Sequence, residues 1–249
     1  MISNLHTHTL FCDGENSPEE LVLKAIELGL SELGFSGHSY TFFDESYCMS
    51  KENTKEYKKE IRRLKEKYKE KIKILLGVEQ DYYCLEPTND YDFVIGSVHY
   101  VKKDDIYIPI DESKEILINA VNRHYNGDFY ALISDYYSLV SDVYNKTKCD
   151  IIGHFDLITK FNDNNDLFDE NSEKYKNAVD NALEKLYKSP AVFEINTGGM
   201  ARGYKTTPYP DIQIIEKIKN RKKKLIFSSD CHNKDQLLFG FESIKKLID

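Results

Sequence analysis

Long hydrophobic runs are missing from this chain of 249 residues. No apolar stretch approaches the roughly 18 residues that a membrane-spanning helix needs, which excludes insertion into a bilayer. The first residues also lack a basic segment followed by an apolar one, the pattern of a secretory signal peptide. We therefore expect a cytoplasmic protein with no membrane partner.

An excess of positive charge is also missing. The chain has 34 Lys and Arg against 42 Asp and Glu, a formal net charge of −8. Such a surface repels polyanions and offers no basic footprint for duplex nucleic acid, so we expect a small-molecule partner and no nucleic acid. The most basic segment, residues 51–73, holds eleven Lys or Arg and five Glu on a helical pattern. Mixed charge favours a solvated helix face there over a nucleic-acid patch.

Paired cysteines are the third absence. The five cysteines are odd in number and widely spaced, and they form no Cys-x-x-Cys motif: Cys12, Cys48, Cys84, Cys149 and Cys231. A protein of the reducing cytoplasm with this pattern is expected to hold no disulfide. Cys12 and Cys231 stand beside acidic and histidine residues, so a thiol nucleophile is an alternative. A small buried hydrophobe is the commoner role of free cysteine and is favoured.

Short aliphatic runs alternate with longer amphipathic segments along the chain. This order is typical of repeated strand–helix units and predicts a parallel sheet or barrel in one domain, residues 1–249. The runs predict seven strands: Ile2–Leu5, Leu33–Ser36, Lys73–Val78, Phe93–Val98, Asp150–Gly153, Ala191–Ile195 and Leu225–Ser228.

Helical patterns separate most of these strands. The clearest begins with Ser17-Pro18-Glu19-Glu20, where Ser is the N-cap and Glu stands three residues later, and should run to about Gly29. The others cover residues 51–73, Glu112–His124, Phe129–Val143, Glu170–Tyr187, Asp211–Asn220 and Glu242–Ile248.

Histidines follow the predicted strands in an unusual pattern. Of seven, only His124 falls on a predicted helix; the rest lie at or just after strand ends, namely His6, His8, His38, His99, His154 and His232. Acidic residues share those positions: Asp13, Glu79, Glu194 and Asp230. Because the carboxyl ends of parallel strands converge on one face, we expect these side chains to meet there.

Two strand ends each offer a pair of such groups. In His6-Thr7-His8 and in Asp230-Cys231-His232 the outer residues project on the same side of an extended chain. Imidazoles and carboxylates together suit Zn²⁺, Mn²⁺ or Fe, and a set of this size exceeds what one ion accepts. A single histidine at a strand end is more often a packing residue, but the set as a whole predicts several metal ions.

A series of short motifs spans nearly the whole chain in order: Leu5-His6-Thr7-His8-Thr9, Cys12-Asp13-Gly14, Gly37-His38-Ser39, Gly77-Val78-Glu79, Gly96-Ser97-Val98-His99-Tyr100, Gly153-His154-Phe155-Asp156, Glu194-Ile195-Asn196-Thr197 and Ser229-Asp230-Cys231-His232. Together they resemble the polymerase and histidinol phosphatase (PHP) superfamily, and within it the monofunctional histidinol-phosphate phosphatases. The resemblance implies an α/β fold, a distorted (β/α)7 barrel of TIM-like type in a single domain.

The resemblance also implies a centre of three divalent ions, of Zn, Mn or Fe. The first ion would be held by His6, His8, Glu79 and Asp230. Glu79 would bridge to a second ion held by His99 and His154, and the third would be held by Asp13, His38 and His232. Some relatives carry His at the position of Asp13.

The implied activity is hydrolysis of L-histidinol phosphate, with a metal-bridging hydroxide as the nucleophile. Glu79, Asp230 and Arg202 are the expected catalytic residues, with Asp230 placed to manage protons. Arg202, Lys160 and Tyr204 are the candidates for contact with the phosphate and substrate, since Arg202 can fork two phosphate oxygens. A solvated loop cation is the alternative for Lys160.

Three alternative functions stay open. Two are phosphoesterases with similar metal motifs, acting on phosphotyrosine in proteins or on nucleic acid. The third is a non-catalytic metal-binding module. Acidic and aromatic side chains near the mouth of the site would favour histidinol phosphate, and Tyr40, Asp44, Asp163 and Tyr204 are candidates for that role.

Overall fold

Nine strands and eight α-helices make up residues 2–248, the part of the chain that the computed structural model describes. The strands are β1 Ser3–Asn4, β2 Glu32–Phe35, β3 Lys73–Asp81, β4 Phe93–Ser97, β5 Tyr100–Lys103, β6 Ile106–Pro109, β7 Ile151–Ile152, β8 Val192–Asn196 and β9 Leu225–Ser228. The helices are α1 Pro18–Glu27, α2 Lys51–Lys67, α3 Lys114–His124, α4 Phe129–Thr147, α5 Glu173–Leu186, α6 Gly198–Ala201, α7 Ile212–Asn220 and α8 Phe241–Ile248.

Seven of these strands form one parallel sheet in the order β1-β2-β3-β4-β7-β8-β9. The sheet curls until its edges meet beyond β1 and β9, where Thr7 pairs with Cys231 in parallel. The amide of His8 donates to the Cys231 carbonyl at 2.8 Å, and the amide of Cys231 donates to the His6 carbonyl at 3.1 Å. The predicted seven strands and the seven-stranded β/α barrel are thereby confirmed.

The inside of the barrel has two layers. Near the amino ends of the strands, apolar side chains pack on one another: Leu5, Leu75, Phe93, Ile95, Ile151, Val192 and Ile226. Because side chains of a strand alternate between its faces, residues two or four positions further on point into the same interior. On β3 and β8 these are Glu79 and Glu194, both 1% exposed. The upper layer is therefore polar.

Helices cover the outside of the sheet. The N-cap hydroxyl of Ser17 and the Glu20 carboxylate form a capping box at the start of α1, as the sequence predicts. Helix α2 buries Tyr57, Ile61 and Leu64. Many of its basic side chains lie in ion pairs on the surface, such as Arg63 with Glu19 and Glu60, Lys65 with Asp92 and Lys67 with Glu19.

One predicted helix end was wrong, and one element was missed. Helix α2 ends at Lys67 rather than near residue 73, because Tyr68 caps it and the chain must enter β3 at Lys73. The hairpin β5–β6 was not predicted. Its turn places Asp104 and Asp105 at φ of 48° and 61°. Asp is one of the residues that tolerate such angles, so the Asp pair between two β-prone runs could have signalled the hairpin.

Within residues 2–248, every helix is too short or too polar to cross a membrane.

We expect Gly77→Ala to destabilise the barrel. A Cβ at Gly77 would lie 2.2 Å from the ring of Phe93, which fills the narrow interior. Overpacking of this kind costs about 1–3 kcal/mol in the free energy of unfolding, measured by urea denaturation of the metal-free protein. The double variant Gly77→Ala with Phe93→Leu should lose less than the sum of the two single losses. Additive losses would show that the ring does not limit this position.

Candidate metal centre

The metal-ligand candidates of the sequence all lie at the carboxyl ends of the barrel strands. Seven of the nine are buried, with Asp13 and His232 more open to solvent. The set comprises His6 and His8 after β1, Asp13 in the next loop, His38 after β2, Glu79 on β3, His99 after β4, His154 after β7, and Asp230 and His232 after β9. The parallel sheet brings these distant segments to one place.

Glu79 lies at the centre of the cluster. Its Oε2 is 3.2 Å from His6 Nε2, 3.5 Å from His8 Nε2 and 3.0 Å from His38 Nδ1. Its Oε1 is 2.9 Å from His154 Nε2 and 3.4 Å from His99 Nε2. Histidines therefore face both oxygens of one carboxylate, which is the arrangement needed to bridge two ions.

Asp13 forms a second meeting point nearer the solvent. Its Oδ2 lies 3.1 Å from His232 Nε2 and 3.7 Å from His38 Nε2, and its Oδ1 lies 3.5 Å from His8 Nδ1. His8 and His38 thus each face both carboxylates, Glu79 with one ring nitrogen and Asp13 with the other. Spacing in the sequence could not reveal that one histidine lies between two carboxylates.

Three groups of ligand atoms in residues 2–248 are compact enough to hold an ion, with all atoms of a group within 4.8 Å of one another. They are His8, Asp13, His38 and His232; His6, His8 and Glu79; and His38, Glu79 and His99.

Unpartnered atoms in the cluster fit metal ions. His6 Nε2, His8 Nε2 and Glu79 Oε2 are buried and make no hydrogen bond of acceptable geometry to any described residue. Buried polar atoms without partners are costly, and a bound cation would satisfy all three. Imidazole nitrogens and carboxylate oxygens are ligands for divalent ions such as zinc. The donor set therefore suits divalent metals.

The protonation state of His8 also favours coordination. Burial, with His232 and His38 nearby, lowers the pKa of His8 to about 3, so its imidazole is neutral and keeps a lone pair. Burial alone would raise the pKa of Glu79, but His6, His38 and His99 hold it well below its ordinary range. Glu79 is therefore ionised.

Asp81 and Ser97 support the cluster from behind. Asp81 Oδ2 accepts from the His99 amide at 2.9 Å and lies 3.3 Å from His99 Nδ1. The Ser97 hydroxyl donates to Glu79 Oε1 at 2.6 Å. Our reasoning from the sequence missed both residues, although Asp81 follows Glu79 by two positions on the same strand face and so carried a signal.

The family model of the PHP domain matches residues 4–198. The chain belongs to the PHP domain family. Among curated relatives, the probable histidinol-phosphatase of Schizosaccharomyces pombe is 28% identical and aligns with 98% of this chain and 85% of its own length. The histidinol-phosphatase of Bacillus subtilis is 26% identical, with 96% of each chain covered.

Solved structures share the PHP fold of this chain. A candidate histidinol phosphatase of Listeria monocytogenes superposes with a TM-score of 0.85 at 23% identity, over 97% of this chain and 99% of the other. The histidinol phosphate phosphatase of Lactococcus lactis, solved with zinc, L-histidinol and phosphate, gives a TM-score of 0.73 at 21% identity, over 99% and 92%. At these identities the likeness establishes the fold, a TIM-like barrel.

A pocket of about 330 Å³ opens above the cluster of this PHP chain. Several cluster residues form its floor, and its walls include Asp44, Tyr47, Tyr100, Asp111, Glu112, Lys160, Arg202 and Tyr204. Of the suggested mouth residues, Asp44 and Tyr204 are on this wall, whereas Tyr40 and Asp163 are not. Tyr40 donates instead to Glu45, and Asp163 accepts from Thr206 in another loop.

Both loop cations of the pocket already have protein partners. Arg202 Nη2 donates to Asp230 Oδ2 at 3.1 Å and Nη1 donates to the Asp230 carbonyl at 3.0 Å. Lys160 Nζ donates to the carbonyl of Asp111 at 2.6 Å, and the Tyr204 ring lies 4.8 Å from it. These contacts fix both cations on the pocket wall.

Cysteine and the remaining histidine lie outside this chemistry. Burial and a neighbouring acid, Asp13 for Cys12 and Asp230 for Cys231, raise the pKa of each thiol to about 12, so neither is a thiolate at neutral pH. Cys231 points away from the cluster and packs in the apolar layer of α1 and α2. His124 ends α3, and its nearest carboxylate oxygen is that of Asp104 at 3.8 Å.

We expect Glu79→Gln to lower the metal content of the purified protein, because the amide presents only one acceptor oxygen where histidines meet both carboxylate oxygens. His124→Ala is the control and should retain the full metal content. Elemental analysis of the folded variants measures both. Equal metal content in the two variants would show that Glu79 does not hold the ions.

Proposed function

We propose that this chain is a metal-dependent phosphomonoesterase that hydrolyses L-histidinol phosphate to L-histidinol and phosphate. The observation that carries the proposal is the nine-residue cluster beneath a pocket whose wall holds Arg202 and Lys160. The histidinol-phosphatases among the relatives, which align with nearly the whole chain, favour this substrate.

The proposed metal content is three divalent ions. His6, His8, Glu79 and Asp230 would hold one, Glu79 with His99 and His154 a second, and Asp13, His38 and His232 a third. His8 and His38 each lie near both Glu79 and Asp13, which belong to different ions of this assignment. Bound ions would supply charge neutralisation at the phosphate and a water of lowered pKa.

Arg202, Lys160 and Tyr204 form the proposed phosphate side of the pocket. Arg202 Nη1 also lies 2.9 Å from His232 Nδ1. Arg202 keeps further donors free beyond these contacts, since a guanidinium carries five N–H groups. Its side chain is 26% exposed and therefore accessible from the pocket.

Asp230 has a second proposed role, in proton handling. Burial raises its pKa, but Arg202 and His6 hold that pKa well below the ordinary range. Asp230 is therefore a carboxylate at neutral pH and has no proton to donate.

Carboxylates in the pocket lining complement the cationic part of histidinol phosphate. Asp44, Asp111 and Glu112 line the pocket together with the aromatic rings of Tyr47 and Tyr100. An ammonium and an imidazole are attracted to acidic and aromatic groups, whereas a polyanionic nucleic acid is repelled. These carboxylates and rings support histidinol phosphate over a nucleic acid.

We also propose that the chain acts as one metallophosphoesterase domain, residues 1–249. The match to the family model stops at residue 198, yet Asp230 and His232 lie beyond it. Asp230 Oδ1 is 3.1 Å from His8 Nε2, so the two ends of the chain build one cluster.

The function is tested by comparing kcat/KM for histidinol phosphate, p-nitrophenyl phosphate, a phosphotyrosyl peptide and a short single-stranded oligonucleotide. Histidinol phosphate should be hydrolysed with the highest efficiency, because binding of its cationic end positions the phosphorus. A chelator should abolish turnover, and added zinc or manganese should restore it. A higher efficiency with the peptide or the oligonucleotide would reject the histidinol assignment, and no hydrolysis by the metal-loaded protein would favour a binding module.

Arg202→Ala should lower kcat/KM by roughly 10- to 100-fold at saturating metal, as expected for loss of a charge-assisted contact of about 1.5–3 kcal/mol. Inorganic phosphate should inhibit the variant more weakly. Because Arg202 also binds Asp230, we expect some loss of metal affinity, which saturating metal offsets. The control is Arg221→Ala, an exposed residue paired with Glu184 on the surface. Unchanged phosphate inhibition in Arg202→Ala would exclude contact with the phosphate.

A further inference from the structure

Glu194 is a fully buried carboxylate directly behind the metal-ligand candidates. Its Oε1 accepts from the backbone amide of His154 at 2.6 Å and from Asn196 Nδ2 at 2.9 Å. Its Oε2 accepts from the Ser228 hydroxyl at 2.6 Å and lies 2.9 Å from His6 Nδ1. One carboxylate thus joins residues of β8 and β9 to the ends of β1 and β7.

The two carboxylate oxygens of Glu194 have four hydrogen-bonding partners, two for each oxygen. An ionised carboxylate has about four acceptor sites, so Glu194 has none left with which to bind an ion. It also belongs to none of the compact ligand groups in residues 2–248. Glu194 can therefore act on the metal centre only through the residues that it contacts.

The contact with His6 decides which ring nitrogen faces the cluster. Because Glu194 Oε2 can only accept, His6 Nδ1 must carry a proton, which leaves the Nε2 lone pair free in the neutral ring. Nε2 is the atom that lies 3.2 Å from Glu79 Oε2 and has no hydrogen-bond partner. With the proton on Nδ1, the neutral His6 ring can bind a metal ion through Nε2.

The contact with His154 acts on the backbone. The short hydrogen bond from the His154 backbone amide to Glu194 Oε1 fixes the chain just beyond β7. There His154 Nε2 lies 2.9 Å from Glu79 Oε1. His6 and His154 belong to different ions in the proposed centre. A single carboxylate consequently positions ligands of two ions.

We propose that Glu194 is a positioning residue that sets both the tautomer of His6 and the backbone position of His154. Its loss therefore weakens the binding of two metal ions at once. This inference rests on the metal centre of the proposed function. Outer hydrogen-bond partners of metal ligands commonly contribute 10- to 100-fold to affinity.

Glu194→Gln tests the proposal at nearly constant shape. The amide has one acceptor oxygen, and the His154 amide cannot become an acceptor, so the oxygen should stay there and the NH₂ group should face His6 Nδ1. His6 must then protonate at Nε2, which blocks coordination. Zinc affinity, measured by chelator competition, should fall 10- to 100-fold for two of the bound ions.

Two controls separate positioning from packing. Ser228→Ala removes one donor to Oε2 and leaves both histidine contacts in place, so its zinc affinity should stay within about threefold of the wild type. Glu170→Gln makes the same substitution at a carboxylate that accepts from Asn162, outside the cluster, and should not change zinc binding.

Nitrogen-15 NMR of the zinc-loaded wild type provides a readout that does not depend on the folding of any variant. His6 should carry its proton on Nδ1 and bind zinc through Nε2. A proton on Nε2 would overturn the proposal, as would zinc affinity of Glu194→Gln within threefold of the wild type, or an equal loss in Ser228→Ala. If the wild type binds no zinc, the proposed metal centre falls as well; if it binds zinc and only these results fail, the proposed function stands.

Discussion

The Glu79 carboxylate, buried at the top of the barrel among histidines, is the interaction on which the site depends. A buried charge is tolerated only when it is compensated. Five imidazoles reach the two oxygens of Glu79, and those of His6, His38 and His99 hold its pKa low. Those imidazoles come from the ends of four other strands. Burial of the carboxylate among these imidazoles therefore depends on the pairing of β1, β2, β4 and β7 around β3.

The two-layer interior explains how one small barrel provides both stability and chemistry. Below, Phe93 fills the space that Gly34 and Gly77 leave open, which gives the strands an apolar centre to pack on. Two residues above Gly77, the same strand face carries Glu79. The apolar layer supplies folding energy that the polar layer, crowded with ionisable groups, does not supply by itself.

The pocket lining carries both cations and carboxylates, as the proposed substrate carries both an anionic phosphate and cationic groups. Arg202 and Lys160 line the pocket together with Asp44, Asp111 and Glu112. The bonds of Arg202 to Asp230 and of Lys160 to Asp111 hold each cation in place before a ligand arrives. Such prior positioning reduces the entropy that binding would otherwise cost.

Residue types and their order along the chain determined much of this protein. Short aliphatic runs predicted the seven barrel strands, and histidines after strand ends predicted the cluster, because parallel strands direct their carboxyl ends to one face. The end of α2 was missed because it depends on where the chain must turn to enter β3, and the β5–β6 hairpin was missed because it stands outside the repeated strand–helix units. Only the tertiary structure decided that His8 and His38 each serve two carboxylates, that Arg202 binds Asp230, and that Glu194 and Asp81 stand behind the ligands. These contacts join residues of different strands. Which side chains come within hydrogen-bonding distance of one another depends on the register and closure of the sheet, which spacing in a sequence does not encode.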